Sequence, residues 1–537
     1  MMKKFLFLFF LPVFCLLQTQ AKTIFVAPTG NDTTGTGSIA APYLTIMKAH
    51  QTVLAGDTVF LRGGVYKMAE SQIYLKSSIF AYLNYLDKSG TSAKRIYYWA
   101  YPGEKPIIDM SAVKPVAYRN IVFYVKGSYL HFKGLEIMGT QVTITTHTQS
   151  ECFRNEGGSY NIYEQCVMRD GMAIGFYLTK GANNLVLNCD AYNNWDSVSE
   201  SGRGGNVDGF GFHGNKGSTG NVIRGCRAWL NSDDGYDCIN NYESVIYDNC
   251  WAFYNGYSTG FVSRGDGNGF KMGGYGQAPT MASLPSPIPA YTIKFCMAYR
   301  NKANGFYANH HVEPGTLWYN NTPNRTTTNY NMLSQQITKR LKTGNDTTID
   351  CPGINHVLRN NLSFKYSTQR DSLNLGTSSN TFNTFSKNPG VVVDANDFLS
   401  IDEALLVAQR QSDGSLPNVN FLKIKQGSDL IDKGTNLGFS FYGSAPDFGA
   451  FETNYATDVE ETFSDNQLIL YPNPVNDVLF VKDKQISSYE IIDLQGKTVA
   501  RGGAVSAIDV SFLAPGFYFF KVKTVENGNL TNKIIKL

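Results

Sequence analysis

A short pattern that recurs through the middle of the chain constrains the fold more than any other feature. Five segments of alternating apolar residues carry a cysteine at the same position, namely Cys166, Cys189, Cys226, Cys250 and Cys296. These cysteines are separated by 23, 37, 24 and 46 residues, and a coil of about two dozen residues with inserted loops explains all four gaps. Five residues after four of the cysteines stand Asn194, Asn231, Asn255 and Asn301, and in a sixth segment Asn361 takes the place of the cysteine.

This repeat predicts an all-β chain whose main domain is a right-handed parallel β-helix. Each coil of such a solenoid rises by one strand spacing, so that like residues stack on like. Stacked asparagine amides at a turn replace missing backbone hydrogen-bond partners. The cysteines are expected to be small apolar residues of an interior column. Neighbouring coils would also bring them within disulfide distance, and the sequence leaves that pairing open.

The ends of the chain differ in composition from the repeat. Residues 1–21 join Lys3 and Lys4 to a short apolar run, which predicts a secretory signal peptide rather than a membrane anchor. Residues 22–453 are assigned to the β-helix, with a short helix over 43–55 that covers its open N-terminal end. Residues 454–465 are polar and acidic, as in a linker, and residues 466–537 alternate in short strands typical of a small β-sandwich.

Composition limits the partners of the mature chain. A net charge of +3 with 17% charged residues argues against a nucleic-acid-binding protein, which would carry a basic stripe. No segment after the first 21 residues is long and apolar enough to cross a membrane. A monomeric, exported protein is expected.

The candidate chemistry lies between residues 208 and 271. Asp233, Asp234 and Asp237 fall within five residues with no Lys or Arg between them, and Asp208 precedes them by about one coil. Crowded carboxylates without His or Cys favour a hard cation, calcium before magnesium and either before zinc. Lys271 ends a glycine-dense stretch downstream, and a lysine beside a dication can act as a base. A surface turn with a solvated lysine is the competing interpretation.

Three motifs, Val207-Asp208-Gly209-Phe210, Asp-Asp-Gly-Tyr-Asp at 233–237 and Gly-Asn-Gly-Phe-Lys at 267–271, resemble those of polysaccharide lyase family nine. The resemblance covers residues 120–320 well and implies that Asp208, Asp233, Asp234 and Asp237 bind calcium and that Lys271 is the catalytic base. It implies β-elimination on an acidic, galacturonate-containing plant cell-wall polymer. Pectate is expected as the substrate, with rhamnogalacturonan I as the close alternative.

Several polar residues are candidates for substrate contacts. Arg264 could pair with a substrate carboxylate, and Asn268 could bond a hydroxyl. His213 and His310 are further candidates, and Asn309 and His311 are expected on the same face. Each of these residues could instead be an ordinary turn or loop residue.

Two rival classes remain open from the sequence. A non-catalytic, calcium-stabilised adhesin would need the aspartates but would leave Lys271 unexplained. A β-helix glycoside hydrolase of the polygalacturonase type would use carboxylates as acid and base, again without a role for the lysine.

The C-terminal segment carries its own resemblance. Tyr471-Pro472-Asn473-Pro474, Asp493-Leu494-Gln495-Gly496-Lys497, Leu513-Ala514-Pro515-Gly516-Phe517-Tyr518 and the terminal Lys533-Ile534-Ile535-Lys536-Leu537 resemble a type A sorting domain of the type IX secretion system. That resemblance implies a bacterium of the Bacteroidetes, passage across the outer membrane with the secretion machinery as partner, and a secreted or cell-surface location. A carbohydrate-binding sandwich is the weaker alternative.

Overall fold

In a computed structural model the chain divides into two compact units between Asn454 and Tyr455. The structure describes residues 21–275, 284–312, 315–339, 347–352, 355–366, 368–373, 383–386, 389–454, 469–471, 473, 475–482, 485–493, 497–525 and 529–536. The predicted signal peptide and the predicted linker lie outside these residues, except for Ala21 and Asn454. Within them no helix is long and apolar enough to cross a membrane.

The first unit is a parallel β-helix built from three sheets that the chain visits in turn. The first sheet contains Thr23–Val26, Thr58–Leu61, Ile96–Ala100, Leu130–Lys133, Ile162–Glu164, Leu185–Leu187, Asn221–Arg224, Val245–Asp248, Thr292–Lys294, Leu317–Tyr319 and Val357–Arg359. The second contains Gly64–Lys67, Pro106–Asp109, Glu136–Met138, Val167–Arg169, Asp190–Tyr192, Arg227–Trp229, Trp251–Phe253, Met297–Tyr299 and Thr322–Asn324. The third contains Leu75–Ser77, Phe80–Leu86, Arg119–Val125, Ser150–Glu156, Ala173–Lys180, Phe210–Phe212, Tyr236–Asp237, Phe270–Lys271, Asn304–Tyr307, Thr328–Asn331 and Arg370–Ser372.

The predicted cysteine and asparagine columns are present in the β-helix. Asn194 donates to Asn231 at 3.0 Å, and the chain of amide bonds continues through Asn255 to Asn301. The seven cysteines with described side chains are buried and free, so the column is apolar packing and not a set of disulfides. Above Cys296 the column continues in asparagine, because Asn321 accepts a hydrogen bond from the Cys296 backbone and donates to Asn361.

Aromatic rings fill the interior beneath the third sheet. Phe210, Tyr236, Phe270, Phe306 and Tyr330 stack in sequence with centroids 4.6 to 5.2 Å apart. Because side chains alternate along a strand, the residue after each ring points outward. This stack therefore fixes the heights of the outward residues that form the site.

A short helix, Ile46–Thr52, lies beside the first strands and buries Ile46, Ala49 and His50. It is shorter than the predicted 43–55 because Thr45 is its N-cap and accepts a hydrogen bond from the Lys48 backbone at 3.1 Å. The remaining short elements are the 3-10 turns Glu70–Gln72, Ser199–Gly202, Ala395–Asp397 and Glu403–Val407 and the antiparallel pair Leu333–Lys339 with Thr347–Pro352.

The segment 389–454 differs from the predicted continuation of the coils. It contains no described strand and packs as an irregular strap on the outer face of the second sheet. That face carries a stack of Tyr192, Trp229 and Phe253, which needs a cover. Arg410 fixes the strap through a 2.7 Å ion pair to Asp190, which also pairs with Arg227 at 2.8 Å.

The second unit contains two antiparallel sheets, which agrees with the predicted β-sandwich. One sheet contains Ile469–Tyr471, Val478–Lys482 and Ala507–Asp509, and the other contains Thr498–Gly503, Ile486–Ile492, Gly516–Thr524 and Asn529–Lys536. Leu479, Ile491, Phe520 and Ile534 are fully buried in a core of its own.

Candidate active site

A four-residue repeat places the candidate site on the third sheet. Asp208-Gly209-Phe210-Gly211, Asp234-Gly235-Tyr236-Asp237, Asn268-Gly269-Phe270-Lys271 and Asn304-Gly305-Phe306-Tyr307 occupy successive coils in register. The first residue lies at the corner before the strand in the first three segments, and Asn304 begins its strand. In each segment the ring points inward and the fourth residue points outward. The outward column therefore reads Gly211, Asp237, Lys271 and Tyr307.

Three of the four predicted metal ligands meet at this corner. Asp208, Asp234 and Asp237 each offer a carboxylate oxygen, and these oxygens all lie within 4.8 Å of one another. All three residues are buried. Asp233 lies beside this group but not in it, since its Oδ1 accepts a hydrogen bond from the Asp266 backbone at 2.9 Å. The neighbour of Asp208 on the next coil is Asp234, whose backbone N–H donates to Asp208 Oδ1 at 3.1 Å.

The Lys271 ammonium contacts the same group of carboxylates. Its Nζ lies 3.1 Å from Asp234 Oδ2 and 3.2 Å from Asp237 Oδ2. The side chain is only 14% exposed. Burial lowers the pKa of the Lys271 ammonium, but Asp234, Asp237, Asp233 and Asp208 together outweigh burial and place the pKa well above its ordinary value.

The surroundings of these aspartates disfavour the ionised form of their carboxyl groups. Burial, and after it the repulsion from neighbouring aspartates, raises the pKa of Asp208 and of Asp233 well above the usual range. Burial also raises the pKa of Asp234, although Lys271 opposes this. A pocket that concentrates buried carboxylates in this way favours a cation, and its all-oxygen donor set fits a hard ion such as calcium.

Asn268 has a different position from the one expected of a substrate ligand. It is buried, and both its backbone N–H and its Nδ2 donate to Asp234 Oδ1, at 2.7 and 2.8 Å. Its Oδ1 accepts a hydrogen bond from Asn304 at 2.6 Å. Both ends of the amide are therefore engaged within the protein, and Asn268 orients Asp234 instead of reaching a substrate hydroxyl.

His213 lies next to the site on the strand side. Its ring packs against Tyr177 with centroids 4.9 Å apart, and its buried Nε2 has no hydrogen-bond partner among the described residues. Burial lowers the pKa of His213, while Asp237 acts in the opposite direction. At neutral pH the imidazole is therefore uncharged.

Arg264 lies in a cavity of about 770 Å³ next to the acidic group. Two loops between the second and third sheets, 195–206 and 256–268, contribute its walls. The guanidinium stacks 3.6 Å from the centre of the Trp195 ring. Burial is the cause of its lowered pKa, and no described carboxylate pairs with it. A guanidinium that is oriented in this way can bind a carboxylate by donating hydrogen bonds to it.

The three residues at 309–311 are not brought to the acidic group. His310 pairs with Asp350 at 3.0 Å, and Asn309 donates to the Gly273 carbonyl at 2.7 Å. His311 is fully buried, with Nε2 3.0 Å from the Pro289 carbonyl oxygen. The expectation that His311 faces the substrate is wrong, because the chain turns inward at this position.

The structure adds residues that the motifs did not single out. Tyr307 is the register partner of Lys271 and is partly exposed, and Tyr177 occupies the outward column two coils before Asp237. The repeated Asn-Gly-Phe of 268–270 and 304–306 is the signal that would have located Tyr307. Trp195 and Lys302 line the cavity and each follows an asparagine of the column, but no shared residue type at that position points to them.

Comparison with known proteins identifies the family to which this β-helix belongs. Residues 24–361 match the model of the Pel9A-like right-handed β-helix region. The chain belongs to the Pel9A-like family. Residues 469–537 match a secretion system C-terminal sorting domain. The predicted fold and both predicted resemblances are confirmed.

Curated and solved relatives of this Pel9A-like chain span most of its length. Pectate lyase L of Dickeya dadantii is 32% identical over 437 residues, which are 80% of this chain and 90% of that protein. A solved rhamnogalacturonan lyase is 41% identical with a TM-score of 0.69, covering 76% of this chain and 97% of its own. The solved pectate lyase Pel9A is 29% identical with a TM-score of 0.63, covering 81% and 97%.

These findings settle the class of the Pel9A-like protein. It is a polysaccharide lyase, as predicted, and its sorting domain makes it a secreted or cell-surface protein.

Proposed function

We propose that the chain is a calcium-dependent lyase that cleaves galacturonate-containing polymers by β-elimination, with pectate as the first candidate substrate. The observation that carries this proposal is the position of Lys271 Nζ, 3.1 and 3.2 Å from two carboxylates of a buried acidic group. A lysine and a cation pocket in contact are the two components that removal of a proton beside a carboxylate requires.

Asp208, Asp234 and Asp237 are the residues that would hold the calcium, with Asp233 beside them as a fourth ligand. Their oxygens are already close, and Asn268 holds one oxygen of Asp234 in place. When bound, calcium would supply positive charge to the substrate carboxylate as negative charge builds there.

In this proposal Lys271 takes the C5 proton of a galacturonate unit. The electron pair of the C–H bond forms the C4–C5 double bond and the C4–O bond breaks. Its electron pair leaves with the glycosidic oxygen, which takes a proton from water, and the other product keeps an unsaturated end. Lys271 must be neutral at the start of this step. Carboxylates that are engaged with a cation no longer raise the pKa of Lys271, and burial then lowers it.

The surrounding side chains have supporting roles in the proposal. Arg264, which stacks on Trp195 and has no acidic partner among the described residues, binds a second substrate carboxylate. His213, packed on Tyr177, borders the substrate site in this proposal. His310 is assigned only a peripheral contact with the substrate, because its ring already pairs with Asp350.

Rhamnogalacturonan I is the second candidate substrate. It is supported by the 41% identity to a rhamnogalacturonan lyase, which exceeds the 32% identity to a pectate lyase. Both polymers contain galacturonate, so the same metal group and the same base serve either of them. The sorting domain supports export through the type IX machinery, and the substrate then lies outside the cell.

The test is incubation of the purified protein with pectate and with rhamnogalacturonan I, each with calcium or with a chelator. We expect unsaturated ends on one polymer, abolished by chelation and restored by calcium better than by magnesium. Asp237→Asn should lose this response, and Asp170→Asn, outside the acidic group, should keep it. Full activity in excess chelator would rule out the metal site, and saturated products would indicate hydrolysis instead.

A further inference from the structure

The outward column that contains Lys271 continues past the acidic group toward the N-terminal coils of the third sheet. In register on successive strands of the third sheet lie Lys271, Asp237, Gly211, Tyr177, Arg154, Tyr124 and Tyr85. Tyr124 is five strands from Lys271, which is about 24 Å at the usual strand spacing. The sheet therefore presents a continuous row of side chains from the candidate site toward its N-terminal edge.

The far end of this row is a cluster of tyrosines. Tyr124 packs against Tyr82 and Tyr85 with centroids 4.4 and 5.1 Å away, and Tyr74 packs on Tyr85 at 5.9 Å. Tyr74 is 54% exposed and the other three are partly exposed. Aromatic rings with a polar tip on an open face suit the apolar faces and hydroxyls of sugar rings.

The charges around this tyrosine cluster favour an anionic ligand. Lys126 lies 5.8 Å from the Tyr85 ring, and Arg154 lies 5.7 Å from the Tyr177 ring. Arg154 is shared between Glu151 and Glu156, which also pair with Arg119 and Lys180. These six groups comprise four cations, Arg119, Lys126, Arg154 and Lys180, against two carboxylates, Glu151 and Glu156. The excess positive charge attracts a polyanion.

Tyr177 and Gly211 occupy the row between Arg154 and Asp237. The Tyr177 ring leans across Gly211, where an added Cβ would lie 2.7 Å from Tyr177 Cδ2. Tyr177 reaches His213 at 4.9 Å, and Asp237 and Asp208 both act on its pKa, which burial raises most. The missing side chain of Gly211 therefore makes room for the Tyr177 ring, which links the row to His213 beside Asp237.

We propose that the tyrosine cluster, with the positive charge around it, forms a distal binding platform for the same anionic polysaccharide that is cleaved at Lys271. This inference rests on the proposed function and extends it, because it makes the enzyme select long polymers over short fragments. A fragment that occupies only the acidic group gains nothing from the platform, whereas a polymer spanning the sheet contacts both regions.

The experiment compares long polymer with a trimer of whichever substrate the wild-type protein cleaves. Tyr85→Ala combined with Tyr124→Ala should raise KM for the polymer about five- to tenfold and leave kcat/KM for the trimer unchanged. Tyr85→Phe with Tyr124→Phe should restore most of the affinity. Tyr97→Ala, a partly exposed tyrosine of the first sheet, is the matched control and should change neither value.

Direct binding separates this proposal from the proposed function. In a Lys271→Ala background the polymer should still bind, and the two alanine substitutions should weaken binding by the same factor. An unchanged polymer affinity, or an equal loss for polymer and trimer, would overturn the platform while leaving the catalytic site intact. If the wild type formed no unsaturated ends but the alanine pair still weakened polymer binding, the proposed chemistry would fail and the platform would stand. Thermal unfolding of each variant identifies any that lose the fold.

Discussion

At the scale of single residues, Lys271 has the most specific role. Replacing it with alanine should keep the fold and calcium binding but lower turnover by about a hundred- to ten-thousand-fold, the usual loss for a missing general base. Arginine should not rescue activity, because its guanidinium stays protonated. The rate of the wild type should rise with pH as the lysine loses its proton. Initial rates of unsaturated-end formation against pH provide the measurement, and wild-type rates in either variant would exclude Lys271 as the base.

The aspartates lead to a separate prediction about calcium and pH. Burial, followed by mutual repulsion, raises the pKa of Asp208 and Asp233 above the ordinary value of 3.8. A raised carboxyl pKa stabilises the metal-free protein at low pH, and this contribution is lost as the pH rises through the folded-state value. Calcium competes with those protons, so its affinity should increase from pH 5 to pH 8.

The increase in melting temperature caused by calcium should follow the same trend. Melting temperatures measured at increasing calcium concentration at pH 5, 6.5 and 8 give both this increase and the affinity, with magnesium as the control ion. In the metal-free protein the aspartates hold the pKa of the Lys271 ammonium well above its ordinary value, so the lysine stays charged across this range until calcium binds. An affinity that is equal at pH 5 and pH 8 would contradict the assignment of the aspartates as ligands.

At the scale of elements, the glycine in each four-residue repeat lets the corner form. A Cβ on Gly235 would lie 2.7 Å from the Gly269 carbonyl oxygen and 2.9 Å from Asn255 Nδ2, which belongs to the asparagine column. Gly235→Ala should therefore destabilise the β-helix by about 1–3 kcal/mol and displace the adjacent Asp234. Gly205→Ala, where a Cβ meets nothing within 4 Å, is the matched control. Chemical denaturation of both variants measures the difference, and equal stabilities would contradict the steric argument.

Repetition explains which elements could be predicted from the sequence. The cysteine and asparagine columns recur at coil spacing, so the β-helix and the heights of Asp208, Asp234, Asp237 and Lys271 follow from pattern alone. Trp195 and Lys302 each follow an asparagine of the column, but the equivalent positions on the coils between them are Ser232 and Gly256, so the repeat does not mark them as site residues. The strap over 389–454 was expected as further coils, because its composition does not reveal that it covers the aromatic face of the second sheet. The inward turn at His311 depends on packing against Tyr291, at a centroid distance of 5.4 Å.

At the scale of the whole molecule, each unit has its own core. The β-helix buries its interior along three sheets, while the C-terminal unit packs Leu479, Ile491, Phe520 and Ile534 within two sheets of its own. Separate cores allow a unit to be removed without exposing the interior of the other. The residues proposed for catalysis all lie in the first unit.

Deletion of residues 466–537 should therefore leave the purified enzyme folded and fully active. In the native host the same deletion should stop release of the enzyme, because the matched sorting domain is gone. The measurements are the melting temperature and specific activity of the truncated protein, together with the share of activity found outside the cells. The full-length Lys271→Ala variant, produced in the same host, should be released normally but be inactive. This control separates export from catalysis. Loss of the β-helix fold on truncation would show that the tail stabilises the enzyme, and normal release would show that export does not depend on it.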